Sequence, residues 1–422
     1  MSLPQHFLVK LKEQLAISTL IKESVSLTKK GSKWKGLCPF HNDKNPSMTV
    51  DDIKGRFKCW VCSSEGDIFD WELKIGDGKD FISAVKGIAE RLNIEMPKSD
   101  TYQSNINNKT LIKTLYQAHG IYRNGISRGK DAKKYLIDRG LTDETIDSWE
   151  IGSVSKGIVS ILERNIDRQL LIDCGIACLS SDGNLFDRLR QRIVIPLRTK
   201  TGTIVGFAGR KIYELDESPK YLNPPETEVF VKGNILFGLD KALPNIFKSR
   251  SVIVVEGYFD VISLHQNGEG RAVAGMGTAL TDIQLNILTT YAKKIIFCFD
   301  NDQGGAIAIK NLLPKLLTII TDKINVFFNF MPKDIDPDGF IRRNGIDAWY
   351  ISCRNGVPLS ELLMQYITSN YQLETVEDKQ RAAIRATEVC KSIKKAPYLR
   401  QLIIQEVEKG FGVRLEFDYE SI

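Results

Sequence analysis

Two groups of residues in the chain have types and spacings that could do chemistry. Glu256 closes the apolar run SVIVVEG, and Asp300 and Asp302 follow a second apolar run in KKIIFCFDNDQGG. Three carboxylates are hard oxygen donors, the set that Mg²⁺ or Mn²⁺ takes while keeping waters for substrate phosphates. Ions held in this way orient a triphosphate, lower the pKa of an attacking hydroxyl and neutralise leaving pyrophosphate. Taken singly, Asp300 has a second reading as a helix cap, since a short carboxylate bonds nearby backbone N–H groups. Glu256 does not share that reading. A glutamate directly after VIVV is a poor cap and costly near a core without a partner.

The second group is Cys38-x-x-His41 and Cys59-x-x-Cys62, joined by a spacer of hairpin length. Three thiolates and one imidazole fill all four positions of a tetrahedral zinc site. A zinc so enclosed organises a fold and leaves no position for an activated water. Cys174, Cys178, Cys298, Cys353 and Cys390 lack such partners and are expected to pack in cores. Around the zinc ligands lie Lys29, Lys30, Lys33, Lys35, Lys54, Arg56 and Lys58, interleaved with Trp34, Phe57 and Trp60. Cations beside flat rings suit phosphates and stacked bases. An ordinary solvated surface explains any one of these residues as well.

The elements that must position the acids are strands. After Arg250 the chain alternates SVIVVEG, a helix through VISLHQNG, RAVAGMG, a helix through ALTDIQLNILTTY, and KKIIFCFD; INVFFNFMP adds a further strand. Buried strands alternating with helices imply a parallel α/β sheet, whose strands face a ligand crevice with their carboxyl ends. Glu256 and the Asp300/Asp302 pair then share one rim, provided their strands are neighbours. Gly275 and Gly277, with Thr278 as a helix cap, either let the backbone approach a phosphate or make a simple tight turn.

Before this module, RIVIPLRT, KTGT and IVGFAGRKI read as a hairpin within an α+β module. Arg188, Arg190 and Arg192 alternate, so one face of that strand at most contributes cations. Residues 111–135 and 358–409 carry helical periods, Thr142 is a helix start signal, and KSDTYQSNINNKT (98–110) reads as a flexible tether.

A chain of 422 residues exceeds one ordinary domain, and 42% hydrophobic with 26% charged residues marks globular material. No apolar run approaches the ~18 residues of a membrane span, and the first residues mix charges into a helical period. A cytoplasmic protein without membrane partners is expected. The net charge of +6 permits nucleic acid without demanding it. No G-x-x-x-x-G-K-[ST] occurs, so no P-loop motor is expected.

EGYFDV followed by FDNDQGG resembles the Toprim domain shared by primases, topoisomerases and some nucleases. CPFHNDKNPS with CWVCSSEGD resembles the zinc-binding domain of bacterial DnaG-type primases. YLIDRGLTDETIDSWEIG, LFDRLRQRIVIPLR, GFAGRK, PKYLNPPET, FVKGNILFGL and AVAGMGTALT resemble the RNA polymerase core of the same family, in order along the chain.

The resemblance implies a multidomain α+β and α/β protein. It divides into a zinc ribbon (1–100), a linker (101–110), an N-terminal α+β subdomain of the polymerase core (111–248), a Toprim parallel-sheet domain (249–345) and a C-terminal helical subdomain (346–422). It implies primer synthesis from ribonucleoside triphosphates on a single-stranded DNA template. By matching positions, the catalytic metal ligands fall on Glu256, Asp300 and Asp302, and Asp260 on an acidic position close to them. Asp336 and Asp338 match acids that bind a further metal, although Asp-Pro also favours a plain turn. The family's basic groove falls on Arg139, Arg210, Lys220, Tyr221 and Lys232.

Two other functions use the same features. A Toprim nuclease or topoisomerase cleaves phosphodiesters with the same acids, and a replication adaptor binds single strands through the zinc domain alone. Family members usually continue into a helical domain that docks on the replicative helicase. The chain ends at Ile422 without a recognisable counterpart, so a helicase contact is left open. A short form from a phage or mobile element, or a chain cut at a domain edge, fits that ending.

Overall fold

The computed structural model describes residues 5–76, 81–96, 102–154, 157–213, 218–277, 280–300, 303–369, 371, 373–415 and 417. The chain forms two compact units, residues 1–244 and 245–422.

The first unit opens with helices α1 (Gln5–Gln14) and α2 (Ile17–Ile21). Five short strands follow: β1 (Thr28–Lys30), β2 (Lys33–Gly36), β3 (Met48–Asp51), β4 (Arg56–Cys59) and β5 (Glu65–Gly66). They pair in chain order as an antiparallel meander. Alternation along these strands sends Trp34, Met48, Val50 and Phe57 inward, where they meet α3 (Ile68–Ile75) and α4 (Phe81–Arg91). Phe57 and Phe40 meet the buried Trp71 edge-on at 5.1 and 5.2 Å. Asp67 caps α3, accepting from the N–H groups of Phe69 and Asp70 while Asp70 accepts from Asp67 N–H. Asp52 is buried and ties the ribbon to its leading helices. It accepts from Ser18 N–H at 2.8 Å, Ser18 O–H at 2.7 Å and Trp34 indole N–H at 2.9 Å.

Helix α5 (Tyr102–Arg128) begins inside the span read as a tether. Leu111, Leu115, Ala118 and Tyr122 recur at helical spacing and bury against the next sheet, and that anchorage extends the helix back through a polar start. Next come α6 (Lys130–Asp138) and α7 (Asp143–Ser148), the latter capped by Thr142 as its sequence signals. After β6 (Gly152–Ser153), α8 (Ile158–Leu162), α9 (Arg168–Asp173) and the ribbon β7 (Ala177–Leu179)–β8 (Leu185–Asp187) comes the expected hairpin, β9 (Arg192–Arg198) and β10 (Ile204–Lys211). With β11 (Tyr221–Leu222) these strands form a sheet of order β11-β10-β9-β6.

Helix α10 (Leu239–Ser249) leads into the second unit. Its sheet takes β12 (Ser251–Val255), then α11 (Tyr258–Gln266), β13 (Ala272–Ala274), α12 (Asp282–Tyr291), β14 (Lys294–Phe299), α13 (Gln303–Ile319), β15 (Asn325–Phe330), α14 (Pro337–Arg354) and β16 (Val357–Pro358). The strand order is β13-β12-β14-β15-β16, parallel except for the last strand. Helices α15 (Leu359–Thr368), α16 (Val376–Ser392) and α17 (Pro397–Phe411) complete the chain. Residue 345, expected to end the parallel-sheet domain, is a break within the α14 span, where Gly345 leaves helical geometry (φ 76°, ψ 176°), and β16 beyond it still pairs with the sheet. The reason is that the pairing of β15 with β16 is long-range and leaves no periodic mark in the sequence. Cys174, Cys298, Cys353 and Cys390 are buried as expected, and Cys178 is half-buried.

Candidate active site and zinc centre

The parallel pairing of β12 with β14 settles where the acids lie. Val254 is level with Phe297, so both strands end on the same rim, and Glu256 and Asp300 are the residues that leave them. Glu256 Oε1 accepts from Asp300 backbone N–H at 3.4 Å. Asp302 and Asn301 lie outside the described residues, as does Thr278. Helix α13 starts directly under this rim. A methyl group at Gly305 would stand 2.1 Å from the Asp300 carbonyl oxygen, so only glycine lets the helix begin so close. A cleft of about 280 Å³ opens here, lined by Glu256, Gly275, Gly277, Phe299 and Gly304 among others.

Asp260 enters from the first turn of α11. Its Oδ2 accepts from Gly257 N–H at 3.0 Å and its Oδ1 from Asp338 N–H at 3.3 Å. Burial, followed by the negative charge of Asp336, raises its pKa to about 7; Asp300 and Asp338 push the same way, against the Asp338 N–H bond. Asp336 and Asp338 reach the same neighbourhood from the start of α14. Asp336 caps that helix through Gly339 N–H at 2.7 Å, so the turn expected of Asp-Pro is a helix entry. Asp338 is buried and pairs with Arg342 at 2.8 Å, in a geometry too bent for a hydrogen bond at that oxygen. Sheet and helices thus bring five carboxylates toward one rim, and the charges of Asp300, Asp336 and Asp338 all bear on Asp260.

In the zinc ribbon, Cys38 follows β2, Cys59 ends β4, and His41 and Cys62 lie in the two connecting turns. Their donor atoms all fall within 4.8 Å of one another, with Cys38 Sγ–Cys62 Sγ at 3.7 Å and Cys59 Sγ–His41 Nδ1 at 3.9 Å. A tetrahedron with Zn–S bonds of about 2.3 Å has edges of about 3.8 Å, so the set fits zinc. The Cys59 thiol is drawn down to about 6. Burial opposes this, and the hydrogen bond with Ser47 and the N–H groups of Cys62 and Val61 together outweigh it.

Asp43 is a residue that reading by ligand spacing passes over. It accepts from Cys38 N–H at 2.8 Å and Ser47 O–H at 2.6 Å, and one oxygen lies 3.7 Å from His41 Nε2. Its bond with Ser47 leads in holding its carboxyl down to about 2. The approach to Nε2 places the carboxylate on the far-nitrogen side of the imidazole, whose Nδ1 lies toward the Cys59 thiol. Of the three rings interleaved with cations, Trp34 and Phe57 are core residues. Trp60 alone faces solvent, 69% exposed, with the Lys58 ammonium 5.2 Å from its ring.

Among the groove candidates, Arg210 and Tyr221 face each other across β10 and β11, the guanidinium 4.8 Å from the ring centre. Arg210 also donates to Tyr135 O–H at 3.0 Å. Lys220 precedes Tyr221 and is exposed. Arg139 caps the C-terminal end of α6, one turn beyond Tyr135. Lys232, in a separate 3₁₀ turn, is half-buried, and its N–H donates to Glu226. Arg192 is not a groove cation: it is buried and donates to Gly209 and Pro219 carbonyls and to Ser218, holding the loop that carries Lys220. Arg188 likewise donates to the Asn223 carbonyl.

Three family models match in order: CHC2 zinc finger over residues 3–104, DNA primase catalytic core N-terminal domain over 121–243, and Toprim-like over 253–341. The DNA primase of Pasteurella multocida is 32% identical over 431 residues, covering 100% of this chain and 73% of that protein. The DNA primase of Escherichia coli K12 is also 32% identical, covering 97% and 72%. The chain belongs to the DNA primases.

Solved primases share its fold. The zinc-binding and RNA polymerase domains of Aquifex aeolicus primase align over 99% of this chain and 98% of that one, with a TM-score of 0.64 and 28% identity. A DnaG primase catalytic domain bound to ssDNA covers 72% of this chain and 99% of its own, with a TM-score of 0.68 and 32% identity. The primase is thus a DNA-directed RNA polymerase that makes RNA primers, and the cleavage and adaptor readings fall away. Among the described residues, no helix is long and apolar enough to cross a membrane.

Proposed function

We propose that nucleotidyl transfer takes place at the carboxyl rim of the parallel sheet, with Glu256, Asp300 and Asp302 as ligands of Mg²⁺ or Mn²⁺. The observation that carries the proposal is the bond from Asp300 N–H to Glu256, which joins the ends of two strands far apart in sequence. Asp302 joins the set by its place two residues beyond Asp300 and by the family pattern. When bound, the divalent ion acidifies a 3′-hydroxyl and neutralises departing pyrophosphate. Asp260, Asp336 and Asp338 form the outer acids of the site. The raised pKa of Asp260 reflects burial first and then the negative charge of Asp336, Asp300 and Asp338, and a cation relieves that second cause. The start of α13 directs backbone N–H groups toward the rim, a suitable seat for the phosphates of a ribonucleoside triphosphate.

The template in this reading is single-stranded DNA. Trp60 and Lys58 on the zinc ribbon, and Arg139, Arg210, Lys220, Tyr221 and Lys232 on the core, supply rings and cations for its bases and phosphates. The solved relative bound to ssDNA supports that partner. The test is primer synthesis on single-stranded DNA with four ribonucleotides and Mg²⁺ or Mn²⁺, comparing the native chain with Asp300→Ala and Glu256→Gln. Short RNA from the native chain and at least a hundredfold less from either variant is expected. Undiminished synthesis by both variants would remove the rim from the reaction.

A further inference from the structure

A parallel sheet has two rims, and the one opposite the acids is basic. Lys248 and Arg250 precede β12, Lys293 precedes β14, Lys294 opens it, and Arg354 ends α14. Ser251 and Lys294 are level across the sheet, so these cations gather at the amino ends of the strands. Lys248, Lys293 and Arg354 are exposed; Arg250 and Lys294 are half-buried. Among the described residues none of the five makes an ion pair, and Lys294 alone has a partner for its charge, the Phe327 ring at 4.4 Å. The nearby Arg271 is different: Glu269 holds it through two bonds of 2.6 and 2.7 Å and cancels its charge. A cleft of about 380 Å³ runs between Arg271, Lys294, Tyr350 and Arg354.

We propose that this rim is a second nucleic-acid surface, which holds the phosphodiester backbone of a single strand away from the reacting centre. Adjacent strands lie about 4.8 Å apart, so cations at strand starts form a row on the scale of successive phosphates in an extended strand. Tyr350 lines the cleft beside Lys294 and Arg354 and offers a ring on which one base stacks. An acidic peptide would use the cations but not the ring. The row therefore favours a polynucleotide. Strands of five and six residues separate this rim from the acids by roughly 17–20 Å, so the two surfaces engage different nucleotides.

The inference rests on the primase reading only in that the chain handles nucleic acid. Its test compares the full native chain with the triple variant Lys293→Gln, Lys294→Gln and Arg354→Gln. Anisotropy of a fluorescein-labelled thirty-nucleotide oligothymidylate is measured across a salt series without divalent ions. Each single-strand phosphate contact contributes about 0.7 to the slope of log Kd on log salt, so the slope falls by about two and binding at low salt weakens at least tenfold. Lys293→Arg with Lys294→Arg keeps the native slope. An unchanged slope in a triple variant with native circular dichroism overturns the proposal. So does displacement of a labelled polyglutamate peptide from this rim when the oligonucleotide slope stays native. The active-site reading is scored separately, because Asp300→Ala retains the native salt slope whether or not it still makes primer.

Discussion

Trp60 carries the clearest residue-scale expectation. It stands between the ligands Cys59 and Cys62, and its indole N–H donates to Thr49 at 3.0 Å, so the ring is exposed yet fixed. A ring held out to solvent with a lysine beside it suits base stacking, worth about 1–3 kcal/mol per base. Trp60→Ala is expected to weaken single-strand binding about tenfold with zinc content and salt slope unchanged, while Trp60→Phe retains most of the affinity. Equilibrium binding with metal analysis on the same samples decides it; native affinity in Trp60→Ala means that the ring does not meet the template. The contrast with Trp34 and Phe57 shows where residue types mislead. All three are aromatics among lysines, but strand alternation turns the first two inward, and only the position past the end of β4 leaves Trp60 outside. Asp43 and Asp52 were illegible for a related reason. Acids in a basic stretch look like solvated balance, and the Ser18 groups that Asp52 binds lie 34 residues away.

At the scale of elements, the acid rim was legible as a condition and the structure met it. The sequence marks β12 and β14 as buried strands but carries no sign that they are neighbours, because parallel pairing is non-local and its register rests on packing. The α5 helix escaped for the opposite reason: its polar start is helical only because the leucines after it are anchored. Gly305 tests how tightly rim and helix are coupled. Gly305→Ala puts a methyl group into the Asp300 carbonyl, and backbone must move. Stability is expected to fall by about 1–3 kcal/mol by urea melting, and primer synthesis at least tenfold. Native activity in this variant means that the placement of Asp300 tolerates the shift.

His119, on α5, gives the element a pH dependence. It stacks against Phe207 and lies 3.7 Å from Glu150, which Arg198 and Arg123 also engage. Burial, then the charges of Arg198 and Arg123, lower its pKa from 6.5 to about 4. Between those values the unfolded chain binds a proton that the folded chain does not. This contribution is therefore complete above pH 6.5 and is lost as pH falls toward 4. Urea midpoints at pH 7.5, 6 and 5 should decline less in His119→Gln than in the native chain. Equal declines would place the sensitivity elsewhere.

For the whole molecule, the informative fact is that its apolar cores are separate. The zinc ribbon buries residues between Phe7 and Ala89 in one cluster, and a distinct cluster runs from Leu111 to Phe207. A small ribbon with short strands leans on its metal, since binding free energy at a structural zinc site is folding free energy. Removing zinc while Mg²⁺ is kept in excess is therefore expected to unfold the ribbon and leave the parallel-sheet unit folded. The tryptophans report this directly: Trp34 and Trp71 are buried in the ribbon, Trp149 and Trp349 are buried elsewhere, and Trp60 is already exposed. Emission should shift to the red in part, return on adding zinc, and leave the highest-temperature calorimetric transition in place, while primer synthesis falls. Removing Mg²⁺ alone should stop synthesis with no change in emission. An unshifted spectrum after complete loss of zinc would mean that the packing of Trp71 with Phe40 and Phe57 sustains the ribbon unaided, and that the metal serves the template surface instead.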